Sequence, residues 1–422
     1  MSKKKLREVC SYITDGEHGS VERDSDGTHF LLTAKNLIDG KIVFLPEERP
    51  ISDSDFYRIR ARTKLEKEDV VISTTGTIGN LAVVHNCDNY EFNRDVGVLK
   101  CNKDIILPLF LYYTLKSNEI QKKLLHISKG CTQKHLYIDD LATLEINVPI
   151  IEKQEQIVNA LECLDKKIDL NSHLCAELET MAKTLYDYWF VQFDFPDENG
   201  KPYRTSGGAM EWCQELGGEV PKGWKIDKID HIISIVRGVS YQPSDELSSL
   251  DEDSIKLLKS NNIQDGSINF DSPVYLPSEK ANSEQWLTKG SVFITMSSGS
   301  KLHMGKTAIV FDDLPYVFGA FCAKIKIESL YQYWLAAYFR HELFRTHIEN
   351  VTLGTSINNI NAHHITSIKM AFPPKEVLER FNALLSPCFD MQGKIMKENT
   401  QLQSMRDWLL PMLMNGQAIV EK

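Results

Sequence analysis

The feature that most constrains the fold of this chain is an internal repeat. The stretch FLLTAKNLIDGKIVF at residues 30–44 matches KLLKSNNIQDGSINF at residues 256–270, including the Asp-Gly turn and the flanking apolar positions. A second block, SKGCTQKHLYIDDLATLEINVP at residues 128–149, matches TLGTSINNINAHHITSIKMAFP at residues 352–373, with an offset of 373 − 149 = 224. A repeat of this length indicates that the chain builds one structural unit twice.

Between these blocks, each half contains a strand–loop–strand pattern with two glycines. The two copies are DVVISTTGTIGNLAVV at residues 69–84 and SVFITMSSGSKLHMGKTAIV at residues 291–310. The stretch GSKLHMGKT is reminiscent of a phosphate-binding loop, but five residues rather than four separate Gly299 from Gly305. The following AIVFDDLPYVF predicts a strand, whereas a phosphate-binding loop opens into a helix. We therefore interpret both copies as structural loops: the first glycine loop (residues 74–80) and the second glycine loop (residues 296–306).

A long helical segment follows each copy of the repeat. A stripe with alternating +4 and +3 spacing extends from Ile157 to Trp189, and the same positions plus 224 extend from Phe381 to Leu413. This heptad pattern predicts that the two helices pack on each other as a coiled coil, while two separate core helices are the alternative. Polar Asn171, Gln392 and Asn399 on the stripe would fix the register.

These patterns predict an α+β fold: two mixed α/β domains joined by two long antiparallel coiled-coil helices, with an internal pseudo-two-fold repeat. The domains are expected at residues 1–149 (the first head) and 225–374 (the second head). The spacer helices are expected at residues 150–191 and 375–416, and the Gly- and Pro-rich stretch 192–224 is expected to be the linker. Two similar heads on a rod suit two separated targets, such as DNA half-sites about 34 Å apart.

Composition limits the class of protein. The chain is 42% hydrophobic and 25% charged, which is typical of globular domains. A net charge of −10 argues against indiscriminate binding of polyanions, but it allows a local basic face. The N-terminal MSKKKLREVC has no apolar signal region, no apolar run could span a bilayer, and the nine cysteines form no C-x-x-C pair. We therefore expect a cytoplasmic protein with reduced thiols, no membrane contact and no metal site.

Several longer stretches resemble one known family. They are ALECLDKKIDLNSHLCAELETMAKTLYDYWFVQFDFP, NGKPYRTSGGAM, EVPKGW, TQKHLYIDDL and LLPMLMNG. Together they resemble the specificity subunit of type I restriction–modification enzymes, over essentially the whole chain. The resemblance implies two target-recognition domains, each reading one half of a bipartite, asymmetric sequence in double-stranded DNA. It also implies helices that bind two methyltransferase subunits carrying S-adenosylmethionine, and a translocating restriction nuclease subunit that joins the complex.

The catalytic motifs that such a complex needs are missing from this sequence. It contains no [N/D]-P-P-[Y/F] methylase motif, no G-x-G-x-x-G after a strand and no Walker A loop of the correct spacing. We therefore expect a non-catalytic subunit that recognises the DNA site on which its partner subunits act.

Three arginines are candidates for phosphate contacts. In YRIRARTKLEK, Arg58, Arg60 and Arg62 alternate along the sequence, and on a strand they would line one face. An edge strand protected by solvated charge is the alternative.

The glycine loops supply candidates for contacts with base edges. These residues are Thr74, Thr75, Thr77 and Asn80 in the first loop, and Ser297, Ser298, Ser300 and Lys301 in the second. Short polar side chains can reach bases, although local turn chemistry explains the same composition.

A third group lies after a glycine that both repeats share, or in the motif FNRDVG. These candidates are Thr132, Gln133 and Lys134 in the first head, Ser356 and Asn358 in the second head, and Asn93 and Arg94 in FNRDVG. Asn and Gln can contact adenine, and Arg and Lys can contact guanine. A structural Arg94–Asp95 pair is the alternative for the last motif.

Two rival functions remain at this point. The chain could be a coiled-coil scaffold that positions two protein-binding heads, or the specificity subunit of a related system with fused methylase and nuclease. Direct DNA binding would separate the scaffold from the reader of DNA.

Overall fold

The computed structural model describes residues 2–130, 134–264, 266–300, 303–352 and 359–418. The chain divides into two compact units. Unit 1 contains Met1–Leu170 together with Asn399–Lys422, and unit 2 contains Asn171–Glu398. Each unit therefore includes one repeated head and parts of both long helices.

Unit 1 begins with eleven described strands and five short helices. The strands are β1 (Ser2–Lys5), β2 (Cys10–Asp15), β3 (His29–Leu32), β4 (Leu37–Ile38), β5 (Lys41–Ile42), β6 (Pro50–Ile51), β7 (Val70–Ser73), β8 (Leu81–Val83), β9 (Tyr90–Phe92), β10 (Val96–Cys101) and β11 (Glu145–Val148). The helices are α1 (Leu6–Val9), α2 (Asp53–Thr63), α3 (Pro108–Lys116), α4 (Asn118–Ile127) and α5 (Ile138–Ala142). The long helix α6 (Ile151–Tyr186) follows.

Unit 2 repeats this order after an inserted hairpin. The strands are β12 (Met210–Cys213), β13 (Gly218–Pro221), β14 (Lys225–Lys228), β15 (Ile233–Arg237), β16 (Ser254–Leu258), β17 (Ile263–Gln264), β18 (Ser267–Ile268), β19 (Val274–Pro277), β20 (Val292–Thr295), β21 (Thr307–Ile309), β22 (Tyr316–Phe318), β23 (Cys322–Ile327) and β24 (Lys369–Phe372). The helices are α7 (Gln332–Arg340), α8 (Glu342–Thr352), α9 (Ala362–Thr366) and the long α10 (Lys375–Met414).

The sheets of the two heads have the same topology. In unit 1 the sheets have the orders β2-β10-β7-β8, β6-β3-β9, β4-β5 and β1-β11. In unit 2 the corresponding orders are β15-β23-β20-β21, β19-β16-β22, β17-β18 and β14-β24. In each three-stranded sheet one pair is parallel, β3 with β9 and β16 with β22. This agreement confirms the predicted internal repeat and the mixed α/β character of the heads.

The inner strands β7 and β20 of the four-stranded central sheets are buried on both faces. Alternate residues of β7 point to opposite faces, so Val70 and Ile72 pack in one apolar cluster with Phe110, while Val71 packs in another with Phe92. The same alternation separates Val292 and Ile294 from Phe293 in β20. A strand buried on both faces needs a continuous apolar run, which explains the sequences VVIS and VFIT.

The long helices contact each other within unit 1. Nη1 of Arg406 lies 2.9 Å from Oδ1 of Asp165, and the amide of Asn399 donates to the carbonyl oxygen of Ile168 at 3.5 Å. Because the partner number falls on α10 as the residue number rises on α6, the two helices are antiparallel in this unit.

The same orientation is found within unit 2. The amide of Asn171 donates to Oε2 of Glu398 at 2.7 Å, and Nε2 of Gln392 donates to the carbonyl oxygen of Cys175 at 3.3 Å. Asn171 and Gln392 are buried, so their hydrogen bonds satisfy polar groups inside the apolar stripe. Heptad packing along the whole length remains a prediction.

The stretch that we expected to be a linker, residues 192–224, contains ordered structure. Strands β12 and β13 form an antiparallel hairpin, and Trp224 and Phe195 pack with Trp189 and Phe190, just beyond the end of α6. The Gly-Gly turn that suggested a linker closes this hairpin, since Gly217 has a φ of +66°. The aromatic residues near the end of α6 are therefore core residues of unit 2.

Candidate nucleic-acid interface

The first glycine loop is held in shape by the hydroxyl group of Ser73 at the end of β7. Its Oγ accepts the N–H of Asn80 at 2.8 Å and donates to the carbonyl oxygen of Thr77 at 2.5 Å. Gly76 and Gly79 have φ angles of +74° and +92°, which other residues rarely adopt. The side-chain amide of Asn80 donates to the carbonyl oxygen of Leu37 at 3.1 Å. Turn chemistry therefore accounts for Ser73 and for Asn80.

Thr74 joins three segments that are distant in sequence. Its N–H donates to the carbonyl oxygen of Asp95 at 2.8 Å, and its carbonyl oxygen accepts the N–H of Leu136 at 2.8 Å. Its hydroxyl group donates to the carbonyl oxygen of Arg94 at 3.3 Å, and the residue is only 1% exposed. The first glycine loop, the turn at residues 93–95 and the segment ending at Leu136 thus meet at one end of the central sheet.

Exposed side chains surround this junction. Thr77, Arg94 and Lys134 are exposed, and among the described residues neither Arg94 nor Lys134 forms an ion pair. The hydroxyl group of Thr75 lies 2.7 Å from Nδ1 of His135, and Nδ2 of Asn93 donates to Asp95 at 2.9 Å. The alternative of an Arg94–Asp95 pair is therefore replaced by an Asn93–Asp95 hydrogen bond.

The prediction that the three arginines lie on a strand is wrong, because they lie on helix α2. Ser52 caps the helix by accepting the N–H of Asp55 at 3.2 Å, and Phe56, Ile59 and Thr63 are buried at helical spacing. Alternating positions do not share a face of a helix, whereas positions four apart do. Arg58 and Arg62 therefore lie on one face of α2, and Arg60 lies on another.

Arg60 is committed to the interior of the first head. Its guanidinium group forms an ion pair with the fully buried Glu91 and donates to the carbonyl oxygens of Cys87 and Tyr90. Burial raises the pKa of Glu91, and the hydrogen bond and charge of Arg60 oppose that rise. The hydroxyl group of Thr63 donates to the other carboxylate oxygen at 2.9 Å. Arg60 is thus a structural partner of Glu91.

Arg58 and Arg62 contact the segment at residues 16–17 after β2, and this segment contacts the junction. Arg58 lies 3.2 Å from Oε2 of Glu17, and Arg62 donates to the carbonyl oxygen of Gly16. Burial acts to raise the pKa of Glu17, but the N–H of Gly19 and the guanidinium of Arg58 outweigh it and lower the pKa below its ordinary value. The carbonyl oxygen of Glu17 in turn accepts the N–H of Arg94 at 2.9 Å, which links this network to the turn at residues 93–95.

The second head assembles the corresponding three segments. The carbonyl oxygen of Phe321 accepts the N–H groups of Met296 and Ser297 at 2.8 and 3.0 Å. Ser297 forms an antiparallel bridge with Asn359, and the N–H of Ile360 donates to the carbonyl oxygen of Met296 at 2.7 Å. The second glycine loop, the turn at residues 319–321 and the segment at residues 359–360 therefore meet at the end of β20.

The predicted site residues of the second glycine loop border this junction. Ser297, Ser298 and Ser300 are half-buried, and Oγ of Ser298 accepts the N–H of Ser300 at 3.3 Å. The remaining candidates lie outside the described residues: Thr132, Gln133, Lys301, Ser356 and Asn358.

One exposed residue at this junction was missed by the sequence reasoning. Phe321 is 68% exposed, directly beside the second glycine loop. Aligning FNRDVG with FGAFCA, between consecutive strands of each half, would have placed Phe321 opposite Asp95. Only the polar members of that motif stand out as candidates in the sequence.

Neither a metal site nor a membrane-spanning helix is found in the described parts of the chain. Within the described ranges, no group of three or more His, Cys, Asp or Glu side chains is arranged to hold a metal ion. No described helix is long and apolar enough to cross a bilayer.

Comparison with known proteins shows which family the chain resembles. Residues 55–180 match the family model described as type I restriction modification DNA specificity domain. The chain is 24% identical to the type I restriction enzyme HindI specificity subunit of Haemophilus influenzae, over 85% of this chain and 88% of that protein. It is 25% identical to the MjaIX specificity subunit of Methanocaldococcus jannaschii, over 93% of this chain and 87% of that protein. Over most of its length the chain is therefore similar to specificity subunits of type I restriction enzymes.

Two more comparisons extend over different lengths of this chain. It is 29% identical to the EcoKI specificity subunit of Escherichia coli over 206 residues, which cover 47% of this chain and 44% of that protein. Its fold is similar to the crystal structure of a type I restriction-modification system S subunit from M. genitalium. That match has a TM-score of 0.55 and 14% identity, and it covers 98% of this chain and 95% of the other.

Proposed function

We propose that this chain is the specificity subunit of a type I restriction–modification complex, and that each head reads one half of a bipartite, asymmetric sequence in double-stranded DNA. The observation that carries the proposal is the junction of three distant segments at the same end of the central sheet in both heads. Loops at one end of a rigid sheet are a common position for binding residues, because the sheet fixes their geometry. The proposal treats residues 1–149 and 225–374 as the two target-recognition domains.

In the first head, Arg94, Lys134 and Thr77 supply the chemistry for DNA. Arg94 and Lys134 can bind phosphates or the O6 and N7 atoms of guanine, and the hydroxyl group of Thr77 can reach a base edge or a phosphate. The two cations face solvent without a described carboxylate partner, so they form a local basic site on a chain with a net charge of −10. Arg58 and Arg62 flank them, with their charge partly balanced by Glu17 and Asp15.

The long helices carry exposed apolar residues that suit protein partners. In unit 1, Leu170, Met405 and Trp408 are exposed on the helices. In unit 2, Leu174 and Met391 are exposed in the same way. Exposed apolar side chains on helices suit contacts with other proteins. We infer that they dock two methyltransferase subunits, which bring S-adenosylmethionine and the active site, and that a restriction nuclease subunit joins this complex.

The test is methyladenine sequencing at base resolution, after co-expression of this subunit with its methyltransferase partner. The expected result is one asymmetric motif in two parts, separated by a fixed gap. A stable complex that methylates no defined motif would favour the scaffold. Replacing residues 73–80 with the loop of another specificity subunit should then change only the half read by the first head. A change in both halves would contradict the modular reading.

Matched single variants locate the DNA-binding end of the first head. Arg94→Ala and Lys134→Ala should each weaken binding to a duplex that carries the motif by about tenfold, because each variant removes one charged group that reaches the DNA. Lys103→Ala is the control, because Lys103 is an exposed lysine beyond the opposite end of β10, about 20 Å along the strand from Arg94. An equal reduction in affinity for all three variants would place the DNA elsewhere.

A further inference from the structure

Several hydrogen bonds hold the backbone of the turn at residues 319–321, although the Phe321 side chain is exposed. The carbonyl oxygen of Phe321 accepts two N–H groups from Met296 and Ser297, and the N–H of Ala320 donates to the carbonyl oxygen of Val239 at 2.9 Å. The N–H of Gly319 donates to the carbonyl oxygen of Leu258, also at 2.9 Å. These bonds hold the turn in one place, so the exposed ring has a defined position at the end of the sheet.

The first head carries a polar group at the equivalent position. In the central sheets Ser73 pairs with Val96 and Thr295 pairs with Cys322, so Asp95 and Phe321 correspond. The carbonyl oxygens of both residues accept an N–H from the adjacent glycine loop. Both turns thus accept hydrogen bonds from their glycine loops, while the side chain at this position changes from a half-buried carboxylate to an exposed phenyl ring.

The phenyl ring is not stabilised by its own head. It stacks on no other ring among the described residues, and it remains 68% exposed. Removing a phenylalanine side chain from water is favourable, so the free head forgoes most of that stabilisation. A ligand that covers the ring can recover it.

The chemistry of duplex DNA restricts what the ring can contact. A phenyl group donates no hydrogen bond and carries no charge, so it contributes little at a phosphate or at the polar edges of bases. The apolar group that base pairs present in the major groove is the 5-methyl group of thymine. Resting on the proposed function, we propose that Phe321 reads a thymine in the half-site of the second head by packing against its 5-methyl group.

The first experiment uses the wild-type subunit in complex with its methyltransferase partner. Once methyladenine sequencing has given the motif, each thymine in the half read by the second head is replaced in turn by 2′-deoxyuridine, which removes only the methyl group. One replacement should weaken binding about fivefold, since a buried methyl group is worth about 1 kcal/mol. A half-site without thymine on either strand, or equal binding of all substituted duplexes, would overturn the proposal.

Variants then assign the effect to this residue. In the Phe321→Ala complex the thymine and deoxyuridine duplexes should bind equally, and the motif should relax at that one position while the other half stays unchanged. If Phe321→Ala instead weakens binding to both duplexes by the same factor relative to wild type, the preference for thymine is retained. That result would indicate a ring wedged between base steps, and it would overturn the contact with the methyl group. Trp212→Ala is the control, because Trp212 is an equally exposed aromatic residue on the β12–β13 hairpin of the same unit, and it should keep the wild-type preference.

The outcomes separate this inference from the proposed function. Absence of any motif with the wild-type complex would sink the proposed function, and the role of Phe321 with it. A bipartite motif that Phe321→Ala leaves unchanged would sink only the role of Phe321.

Discussion

The central sheet of the first head carries Val98 at the position where the sheet of the second head carries Lys324. Strand register makes the two positions equivalent, because Val98 pairs with Val71 and Lys324 pairs with Phe293. Both residues are 1% exposed. The ammonium group of Lys324 donates to the carbonyl oxygen of Trp286 at 2.5 Å and lies 3.5 Å from Oγ1 of Thr288. The second head thus buries a cation where the first buries a methyl-bearing side chain.

The opposite substitution occurs in the neighbouring sheet. Glu91 in β9 pairs with Leu31, and its counterpart Val317 in β22 pairs with Leu257. Helix α2, which supplies Arg60 to Glu91, is a feature of the first head. Strand order and register are therefore shared between the heads, whereas a buried charge is tolerated only where a local element supplies its partner.

The largest expected effect comes from breaking the Glu91 pair. Arg60→Met should destabilise the first head by about 3–5 kcal/mol, because it leaves a buried carboxylate without a counter-charge. The loss should shrink as the pH falls towards 4.5, since the raised pKa of Glu91 means that its protonated form is favoured in the folded head. Hydrogen exchange of the amides of β10 measures the effect, with β23 in the second head as internal reference.

Two further variants make this prediction specific. Arg58→Met removes an exposed arginine of the same helix and should cost less than about 1 kcal/mol. The double variant Arg60→Met, Glu91→Val copies Val317 and should recover most of the lost stability. An Arg60→Met protein with unchanged exchange in β10 would contradict the role of the pair.

A smaller effect is expected at the first glycine loop. Ser73→Ala should cost about 2 kcal/mol, because the Asn80 N–H and the Thr77 carbonyl oxygen both lose their partner. The measurement is exchange of the Asn80 amide together with binding to the motif duplex. If that amide exchanges at the wild-type rate, the hydroxyl group of Ser73 does not organise the loop.

Removing the buried amine of the second head should stabilise it. Lys324→Met keeps the chain length and should raise stability by about 1 kcal/mol at neutral pH. Burial lowers the pKa of Lys324, and Lys326 lowers it further, so the folded head disfavours the ammonium form. The advantage of Met should therefore be full below the lowered pKa and vanish as the pH rises towards 10.5. A pH series of exchange rates in β23 tests this, and an advantage that grows with pH would contradict it.

The smallest effect is expected at Thr295, the counterpart of Ser73. Its buried Oγ1 has no hydrogen-bond partner among the described residues, so Thr295→Val should change stability by less than about 0.5 kcal/mol. Exchange of the β20 amides checks this, side by side with Ser73→Ala. A cost similar to that of Ser73→Ala would show that both heads hold their loops through the same hydroxyl group.

The prediction from sequence succeeded where short-range patterns decide the structure. The repeated blocks, the glycine loops between paired strands and the two helical stripes were all predicted, and the structure confirms them as elements. It failed at α2, although Ser52 as a cap and the buried spacing of Phe56, Ile59 and Thr63 were present in the sequence. The alternation of Arg58, Arg60 and Arg62 favoured a strand instead, because alternate residues of a strand share one face.

The candidate site could be predicted only in part from the sequence. Thr77, Arg94 and Lys134 were singled out and are exposed at one junction, but Thr74 was singled out and is buried there. Nothing local distinguishes Thr74 from Thr77, since the difference arises from hydrogen bonds to Arg94, Asp95 and Leu136. Phe321 was not predicted as a site residue, because an apolar residue between two strands is expected to be buried.

The sequence by itself determined that this protein consists of two similar heads with two long helices, because period-2 and heptad patterns and glycine turns act over a few residues. Only the tertiary structure decided which polar groups are buried, as with Glu91 and Lys324, and which side chains the junctions present to solvent. Those outcomes depend on strands and turns that are far apart in the chain and meet only in the folded sheet.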